Sequence, residues 1–266
     1  MSAIHPAAAE GFGRGADAYV RGRPDFPSAA LAWLREDLGL QPGKTVVDLG
    51  AGTGKFTRLL ISTGATVTAV EPVAAMRDRM VRDLPGVTAL HGHAQNIPLP
   101  DACADALTCA QAFHWFANAA SLAEIHRVLK PGGVLGLIWN VRDQSVDWVR
   151  TLTSILDPYE GEAPRYDGGE WRAAFPAPGL GELREKSFPH VHVGSPAQVI
   201  VDRVASVSFI AALDEPTRTR VLAQVRALID ATPELAGRST VSFPYITRVY
   251  WCQAIVECRH GRSSMA

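Results

Sequence analysis

The sequence predicts a doubly wound α/β fold, with a mostly parallel sheet covered by helices. Between residues 45 and 139, short runs rich in β-branched residues alternate with segments of helical periodicity. Strands separated by such helices form βαβ units, whose crossovers make neighbouring strands parallel. Beyond residue 140 the alternation stops, which predicts a single domain with a helical insertion.

The first half of the chain supplies five strands with helices between them. The predicted strands span residues 45–50, 66–72, 87–93, 104–112 and 133–140, and the predicted helices span 53–63, 73–84 and 118–129. We expect the third helix to stop at Lys130-Pro131-Gly132-Gly133, because proline and glycine both end helices.

The second half predicts two further strands, at 183–193 and 240–256, and two helices between them, at 196–210 and 215–230. No crossover helix follows the last strand, so we expect it to pair antiparallel at the far end of the sheet. The expected organisation is an N-terminal segment (1–40), one domain (41–258) with a helical cap at about 195–237, and a loose tail (259–266).

Composition narrows the classes of partner. The chain of 266 residues has 26 basic and 27 acidic side chains and a net charge of -1, so it has no general attraction for nucleic acid or anionic lipid. No signal peptide or membrane-length apolar run is present in the sequence. Its four cysteines form no C-x-x-C pair, which favours free thiols and a cytoplasmic protein.

A glycine-rich turn follows the first strand. DLGAGTG (48–54) lets a ligand approach the backbone closely and leads into a helix N-terminus with free N–H groups. Glu71 ends the second strand, where a ribose would present its hydroxyls in such a sheet. A dinucleotide fingerprint would need glycine at position 55, which is Lys55, and no P-loop pattern is present.

With these features the chain resembles the class I S-adenosylmethionine-dependent methyltransferases, type 11. The resemblance rests on VVDLGAGTG, AVEP, HGHAQNIPLPD and LKPGG, in this order. More narrowly, YVRGRPDFP (19–27), AQAFHWF (110–116) and IWNVRD (138–143) look like the subgroup that includes trans-aconitate methyltransferase-like enzymes. The resemblance implies a Rossmann-like seven-stranded sheet with an antiparallel last strand, S-adenosyl-L-methionine as cofactor and S-adenosyl-L-homocysteine as product.

The same resemblance assigns the cofactor contacts. The glycines would line the methionine part, Asp48 would brace their loop or reach the amino group, and Glu71 would accept both ribose hydroxyls. The family's acid after the third strand is His93 here, so Ala94 or Gln95 is expected to meet the adenine amino group instead. The N-terminal segment would fold over the cofactor as a lid. The implied contacts are Tyr19, Arg23, Asp48, Gly50, Gly52, Gly54, Glu71, Pro72, Met76, His93, Ala94, Gln95, Gln111 and Trp115.

Ligands of a doubly wound sheet lie beyond the carboxyl ends of its strands, which places the ends of strands four and five beside the transferable methyl. His114 is therefore either a general base or a group that orients the acceptor; the alternative is a core histidine that shapes the loop. Asn140 and Arg142 could grip a polar or acidic acceptor, or be a helix cap and a surface ion pair. Tyr159, Trp171 and Phe209 are expected to line the acceptor cavity or to belong to the core.

The leading hypothesis is methyl transfer to a small-molecule acceptor by in-line displacement. One alternative is methylation of a protein or other macromolecule; against a nucleic-acid acceptor, strand four ends in AQAFHWF and not in an N-P-P-Y-like run. The other is a non-catalytic protein that binds the cofactor. Two H-x-H pairs, at 91–93 and 190–192, lack a further ligand at metal-binding spacing, so no metal is predicted.

Overall fold

β-Branched runs form the strands of the sheet. The computed structural model describes residues 22–161 and 164–255, so the predicted contact Tyr19 and the predicted tail lie outside the described residues. The sheet has seven strands in the order β3-β2-β1-β4-β5-β7-β6, which confirms the predicted fold. The strands are β1 Thr45–Leu49, β2 Thr66–Val70, β3 Thr88–Leu90, β4 Ala104–Ala110, β5 Leu129–Arg142, β6 Arg184–Gly194 and β7 Val241–Gln253.

The last strand is antiparallel, as expected, but its predicted position is wrong. β1 to β5 pair in parallel, and β7 runs antiparallel to both β5 and β6. It therefore lies inside the sheet, and β6 forms the edge. The reason is burial: β7 is buried along much of its length, whereas β6 begins with four exposed residues, Arg184 to Ser187, and charged side chains are typical of an edge strand.

Helices cover both faces of the sheet. The described helices are α1 Ser28–Glu36, α2 Lys55–Ile61, α3 Ala74–Asp83, α4 Ala119–Val128, α5 Asp147–Leu156, α6 Arg203–Ala205, α7 Ser208–Ala211 and α8 Glu215–Ala231. Alternate residues of β1 point to opposite faces, so that Val46 packs with Trp33 of α1 and Phe56 of α2. Val47 packs with Ile125 of α4 in a separate cluster. The core thus lies in two layers around the sheet.

Two predicted boundaries need correction. The Lys130-Pro131-Gly132-Gly133 run does not merely follow α4; it already belongs to β5. The single helix expected at 196–210 is broken into a π-helical turn, Ala197–Asp202, followed by the short helices α6 and α7. Between α6 and α7 the backbone of Val207 is extended, with φ -72° and ψ 129°, so a continuous helix cannot form there.

The helical insertion between β6 and β7 has its own apolar cluster. Leu152 of α5, Ile200 of the π-helical turn and Val225 of α8 pack with Phe243 of β7. We call this insertion, from Ser195 to Gly237, the cap. It packs against the start of β7, beside the end of β5. In the described ranges, no helix has the length and apolar composition that crossing a membrane requires.

Candidate active site

The glycine-rich turn after β1 has the left-handed backbone that its sequence predicts. Gly52 and Gly54 have φ values of 59° and 83°, which glycine adopts without the steric penalty of a side chain. A Cβ on Gly54 would lie 2.8 Å from Met80 Cγ, whereas a Cβ on Gly52 would meet only Met76 Sδ, at 3.7 Å. Gly54 therefore allows α2 to pack close to α3, whereas a side chain on Gly52 would be in ordinary van der Waals contact with Met76.

Glu71 is held rigidly beside this turn. Its carboxylate accepts hydrogen bonds from the N–H groups of Gly52, at 2.9 Å, and Val73, at 2.8 Å. Burial raises the pKa of the carboxyl group, although both hydrogen bonds act in the opposite direction. Arg77 donates to the carbonyl oxygens of Glu71 and Pro72. Glu71 thus meets the turn, and Met76 lies beside Gly52. The cofactor contacts expected of Glu71, Pro72 and Met76 stay predictions.

Several buried acceptor atoms, in the turn and in the loop after β3, have no hydrogen-bond partner among the described residues. Asp48 accepts a 2.6 Å bond from Thr57 through Oδ2, but within the described part of the chain its Oδ1 has none. Burial raises the pKa of Asp48 to about 7. Thr53 Oγ1 also has no hydrogen-bond partner in the described residues, and neither do His93 Nδ1 and Gln95 Oε1 in the loop after β3. Such atoms are costly unless a ligand or water supplies a partner.

Two neighbouring cavities open at the carboxyl ends of the strands. The first, the glycine-loop cavity, has a volume of about 50 Å³ and lies against Gly50, Gly52 and Phe26. The second, the arginine cavity, has a volume of about 150 Å³ and lies beyond β4 and β5. The two cavities share four lining residues, Arg23, Gln111, Asn140 and Arg203. Ligands in the two cavities would therefore meet at these residues.

His114 lines the arginine cavity from a 3₁₀ turn, Phe113–Trp115, just after β4. The indole Nε1–H of Trp139 donates a 3.1 Å hydrogen bond to His114 Nδ1. Burial, with the nearby charges of Arg23 and Arg165, lowers the His114 pKa to about 3. Because the indole can only donate, Nδ1 carries no proton, and the proton of the neutral ring is on Nε2. His114 thus offers a donor to a ligand.

Gln111 and Asn140 form the junction between the cavities. The Asn140 side chain accepts a 2.6 Å bond from Thr247 and donates a 3.0 Å bond to the carbonyl oxygen of Asp25. It is therefore not a helix cap, which was one of the alternatives; α5 has Val146 at its N-cap. Gln111 has a φ of 57°, an uncommon backbone conformation for a residue with a side chain and one that concentrates at functional sites.

Arg142, at the end of β5, lines the arginine cavity together with Arg165 and Arg203. Its guanidinium lies 3.5 Å from Thr153 Oγ1, and burial, with the nearby charge of Arg203, lowers its pKa to about 10. This position is not that of an ordinary surface ion pair. Arg165 is ion-paired with Glu160 and its guanidinium carbon lies 4.1 Å from the centre of the Phe209 ring.

The sequence missed Arg165, Arg203 and the role of Trp139. Arg165 follows a Pro- and Gly-rich segment and Arg203 lies in the cap, so no motif pointed to either. Trp115 and Phe209 do line the arginine cavity, whereas Trp171 is a core residue, 2% exposed, and Tyr159 packs against the apolar cluster of the cap. Ala94 is also buried in the core, 4% exposed.

The sheet order, the glycine-rich turn and the acid at the end of β2 together define a class I S-adenosylmethionine-dependent methyltransferase. Comparison with known proteins agrees: residues 47–137 match the family model of a methyltransferase domain. An uncharacterised methyltransferase of Mycobacterium tuberculosis is 39% identical over 236 residues, covering 89% of this chain and 92% of that protein. An uncharacterised methyltransferase-like protein of Schizosaccharomyces pombe is 34% identical over 233 residues, covering 87% and 91%. The chain therefore belongs to this methyltransferase family.

Solved structures show the same fold. A candidate type II methyltransferase of Anaeromyxobacter dehalogenans superposes with a TM-score of 0.60 at 24% identity, covering 88% of this chain and 97% of that one. A candidate antibiotic-pathway methyltransferase of Anabaena variabilis gives a TM-score of 0.59 at 21% identity, covering 87% and 98%. The narrower resemblance to trans-aconitate methyltransferase-like enzymes stays a prediction.

The residues at the glycine-rich turn fit the cofactor of this family. S-Adenosylmethionine carries donors on its amino group, its ribose hydroxyls and its adenine amino group, and the buried acceptors Asp48 Oδ1, Thr53 Oγ1 and Gln95 Oε1 have no partner in the described residues. Gly52 lines the glycine-loop cavity and carries no side chain, so a ligand can approach the backbone there. Among the described residues, no three metal-ligating side chains come together around a possible ion.

Proposed function

We propose that this methyltransferase acts on a small-molecule acceptor with a negatively charged group, most simply a carboxylate, bound in the arginine cavity. The observation that carries the proposal is the cavity itself. It adjoins the glycine-loop cavity through four shared residues and is lined by Arg142, Arg165 and Arg203.

The charge of the arginine cavity favours an anion. Its described lining has four arginines, Arg23, Arg142, Arg165 and Arg203, and two acids, Glu160 and Asp167. Glu160 pairs with Arg165, and the charge of Asp167 acts favourably on Arg142, so the arginines still outnumber the acids. The positive charge of Arg203 helps to lower the pKa of Arg142, so these two like charges lie close enough to repel each other. An acceptor carboxylate held by Arg142 would offset this repulsion and accept charge-assisted hydrogen bonds.

The walls of the arginine cavity favour a compact acceptor. Trp115, Trp139 and Phe209 line it together with the arginines, and Trp139 is only 1% exposed. Flat aromatic walls around a few charged groups are typical of sites for small ligands. Aromatic burial also excludes water, so that the charged groups of the cavity act more strongly on the acceptor.

The chemistry needs alignment more than acid–base catalysis. Bound S-adenosylmethionine supplies a methyl group already activated by its sulfonium. A carboxylate acceptor is ionised at neutral pH and needs no general base, so the protein has only to hold its oxygen in line with the methyl, at about 3–3.5 Å. Arg142 would hold the anion, Asn140 and Gln111 would bound the junction, and His114 would donate from Nε2 to orient the acceptor.

A turnover screen with methyl-labelled cofactor tests this proposal. Small carboxylic acids would be compared with their neutral primary amides and with protein and RNA fractions. We expect transfer of label to one or more acids and none to the matching amide. In Arg142→Gln, KM for the acid should rise about 10- to 100-fold, as for loss of a hydrogen bond between charged groups.

Arg226→Gln is the matched control, because Arg226 is exposed on α8, away from both cavities. It should leave KM unchanged. Label that enters only macromolecules, or enters acid and amide equally, would overturn the proposal.

A further inference from the structure

Arg203 stands where the cap meets the cofactor region. It is the first residue of α6, directly after the π-helical turn, and it lines both cavities. We infer that its guanidinium binds the carboxylate of the methionine part of S-adenosylmethionine. This inference concerns the cofactor alone and does not depend on the identity of the acceptor.

The first argument is the lack of hydrogen-bond partners for Arg203 among the described residues. Nε and Nη1 of Arg203 are both buried, and the described residues provide neither with a hydrogen-bond acceptor. Burying a charged group without a partner costs several kcal/mol, and buried polar groups are therefore nearly always bonded. An oxygen of a ligand in one of the two cavities would satisfy these atoms.

The second argument is the charge of the glycine-loop cavity. Among the described residues, its lining includes three basic side chains, Arg23, Lys55 and Arg203, and no Asp or Glu. Lys55 Nζ is already bonded to the carbonyl oxygen of Arg23, at 2.6 Å, and to the Asp25 carboxylate, at 3.1 Å. The methionine carboxylate is the anionic group of the cofactor, so it is the ligand group that this cationic lining would attract.

The third argument is position. The backbone of Arg203 packs closely against Gly22, because a Cβ on Gly22 would lie 2.6 Å from Arg203 N. The carbonyl oxygen of Ser206, at the end of α6, receives a 3.4 Å hydrogen bond from Arg23 Nη2. Arg203 therefore approaches the glycine-loop cavity from a wall that is already in place. An Arg203–carboxylate contact would join the cap directly to the cofactor.

A binding cycle tests the contact without turnover. Calorimetric dissociation constants would be measured for S-adenosylhomocysteine and for its decarboxylated analogue, in the wild-type chain and in Arg203→Gln. We expect Arg203→Gln to weaken binding of S-adenosylhomocysteine about 10- to 100-fold, the range for a charge-assisted hydrogen bond. The decarboxylated analogue should lose less than about 3-fold, because the partner of Arg203 is already missing.

Arg203→Lys and Arg226→Gln complete the design. The lysine keeps the charge and should restore part of the affinity for S-adenosylhomocysteine, and the surface variant should bind like the wild type. Unchanged affinity in Arg203→Gln, or an equal loss for both ligands, would overturn the inference. Unchanged affinity would mean that the Arg203 guanidinium binds the acceptor or no ligand. An equal loss for both ligands would mean that the substitution perturbs the cap, which a fall in melting temperature would show. Failure of the wild type to bind S-adenosylhomocysteine would instead contradict cofactor binding itself.

Discussion

His114 could act as a general base or as a hydrogen-bond donor that orients the acceptor, and its pKa distinguishes these two roles. Replacing His114 by glutamine removes the titrating ring. A base near neutral pH needs a pKa close to the working pH, whereas burial and nearby arginines lower the His114 pKa to about 3. The lone pair on Nδ1 already accepts from Trp139. His114 should therefore remain neutral and act as a donor, and this has a measurable consequence for stability.

The sign and magnitude follow from linkage. A histidine whose pKa is lowered on folding binds a proton more tightly in the unfolded chain, so stability is complete above the unfolded pKa of about 6.5 and falls as pH decreases. With a folded pKa of about 3, His114 alone should cost about 2 kcal/mol of unfolding free energy between about pH 7.5 and about pH 5.

Urea unfolding at these two pH values measures the effect. His114→Gln should lose about 2 kcal/mol less than the wild type between them, and His114→Phe should show the same reduced dependence. Agreement between a polar and an apolar replacement separates titration from packing. A wild-type dependence equal to that of both variants would show that His114 titrates near its ordinary pKa, and the argument against a base would fail.

Three further outcomes are expected. Burial raises the pKa of Asp48 to about 7, so the ionised carboxylate should destabilise the fold increasingly as pH rises from about 4 to about 7. In urea unfolding, Asp48→Asn should therefore gain up to about 4 kcal/mol of unfolding free energy relative to the wild type by about pH 8. A gain that does not vary with pH would contradict this. Gly54→Ala should lower the unfolding free energy by about 2–4 kcal/mol in the same assay, because its Cβ would lie 2.8 Å from Met80 Cγ at a φ of 83°; a loss below about 1 kcal/mol would refute that packing. In Trp139→Phe, nitrogen-15 spectra should show His114 Nδ1 losing the hydrogen bond that it accepts in the wild type, and identical spectra would exclude that bond.

The sequence predicts the cofactor half of the molecule well, because its signals are local. The β-branched runs predict β1 and β2, a short apolar segment predicts β4, and the glycines predict the left-handed turn that the structure shows at Gly50, Gly52 and Gly54. The role of Glu71 was predicted from its position at the end of β2 alone. Each of these depends on neighbours in the chain and on the general rule that ligands meet the carboxyl ends of parallel strands.

The acceptor half depends on contacts between distant residues, and the sequence predicts it less completely. Arg142, Arg165 and Arg203 come from β5, a loop and the cap, and only the folded chain brings them to one cavity. The Trp139–His114 hydrogen bond likewise joins residues from two different segments, β5 and the turn after β4. The edge position of β6 could have been predicted, since its charged first residues are typical of an exposed strand.

Calorimetric titration of S-adenosylhomocysteine into the wild-type chain and Glu71→Gln tests the central claim most directly. Glu71 is fixed at the turn by the N–H groups of Gly52 and Val73, and its carboxylate is assigned to the ribose hydroxyls. We predict one bound ligand per wild-type chain and affinity at least about 10-fold weaker in a folded Glu71→Gln. No binding by the wild type, or equal binding by both proteins, would contradict a cofactor site at this turn.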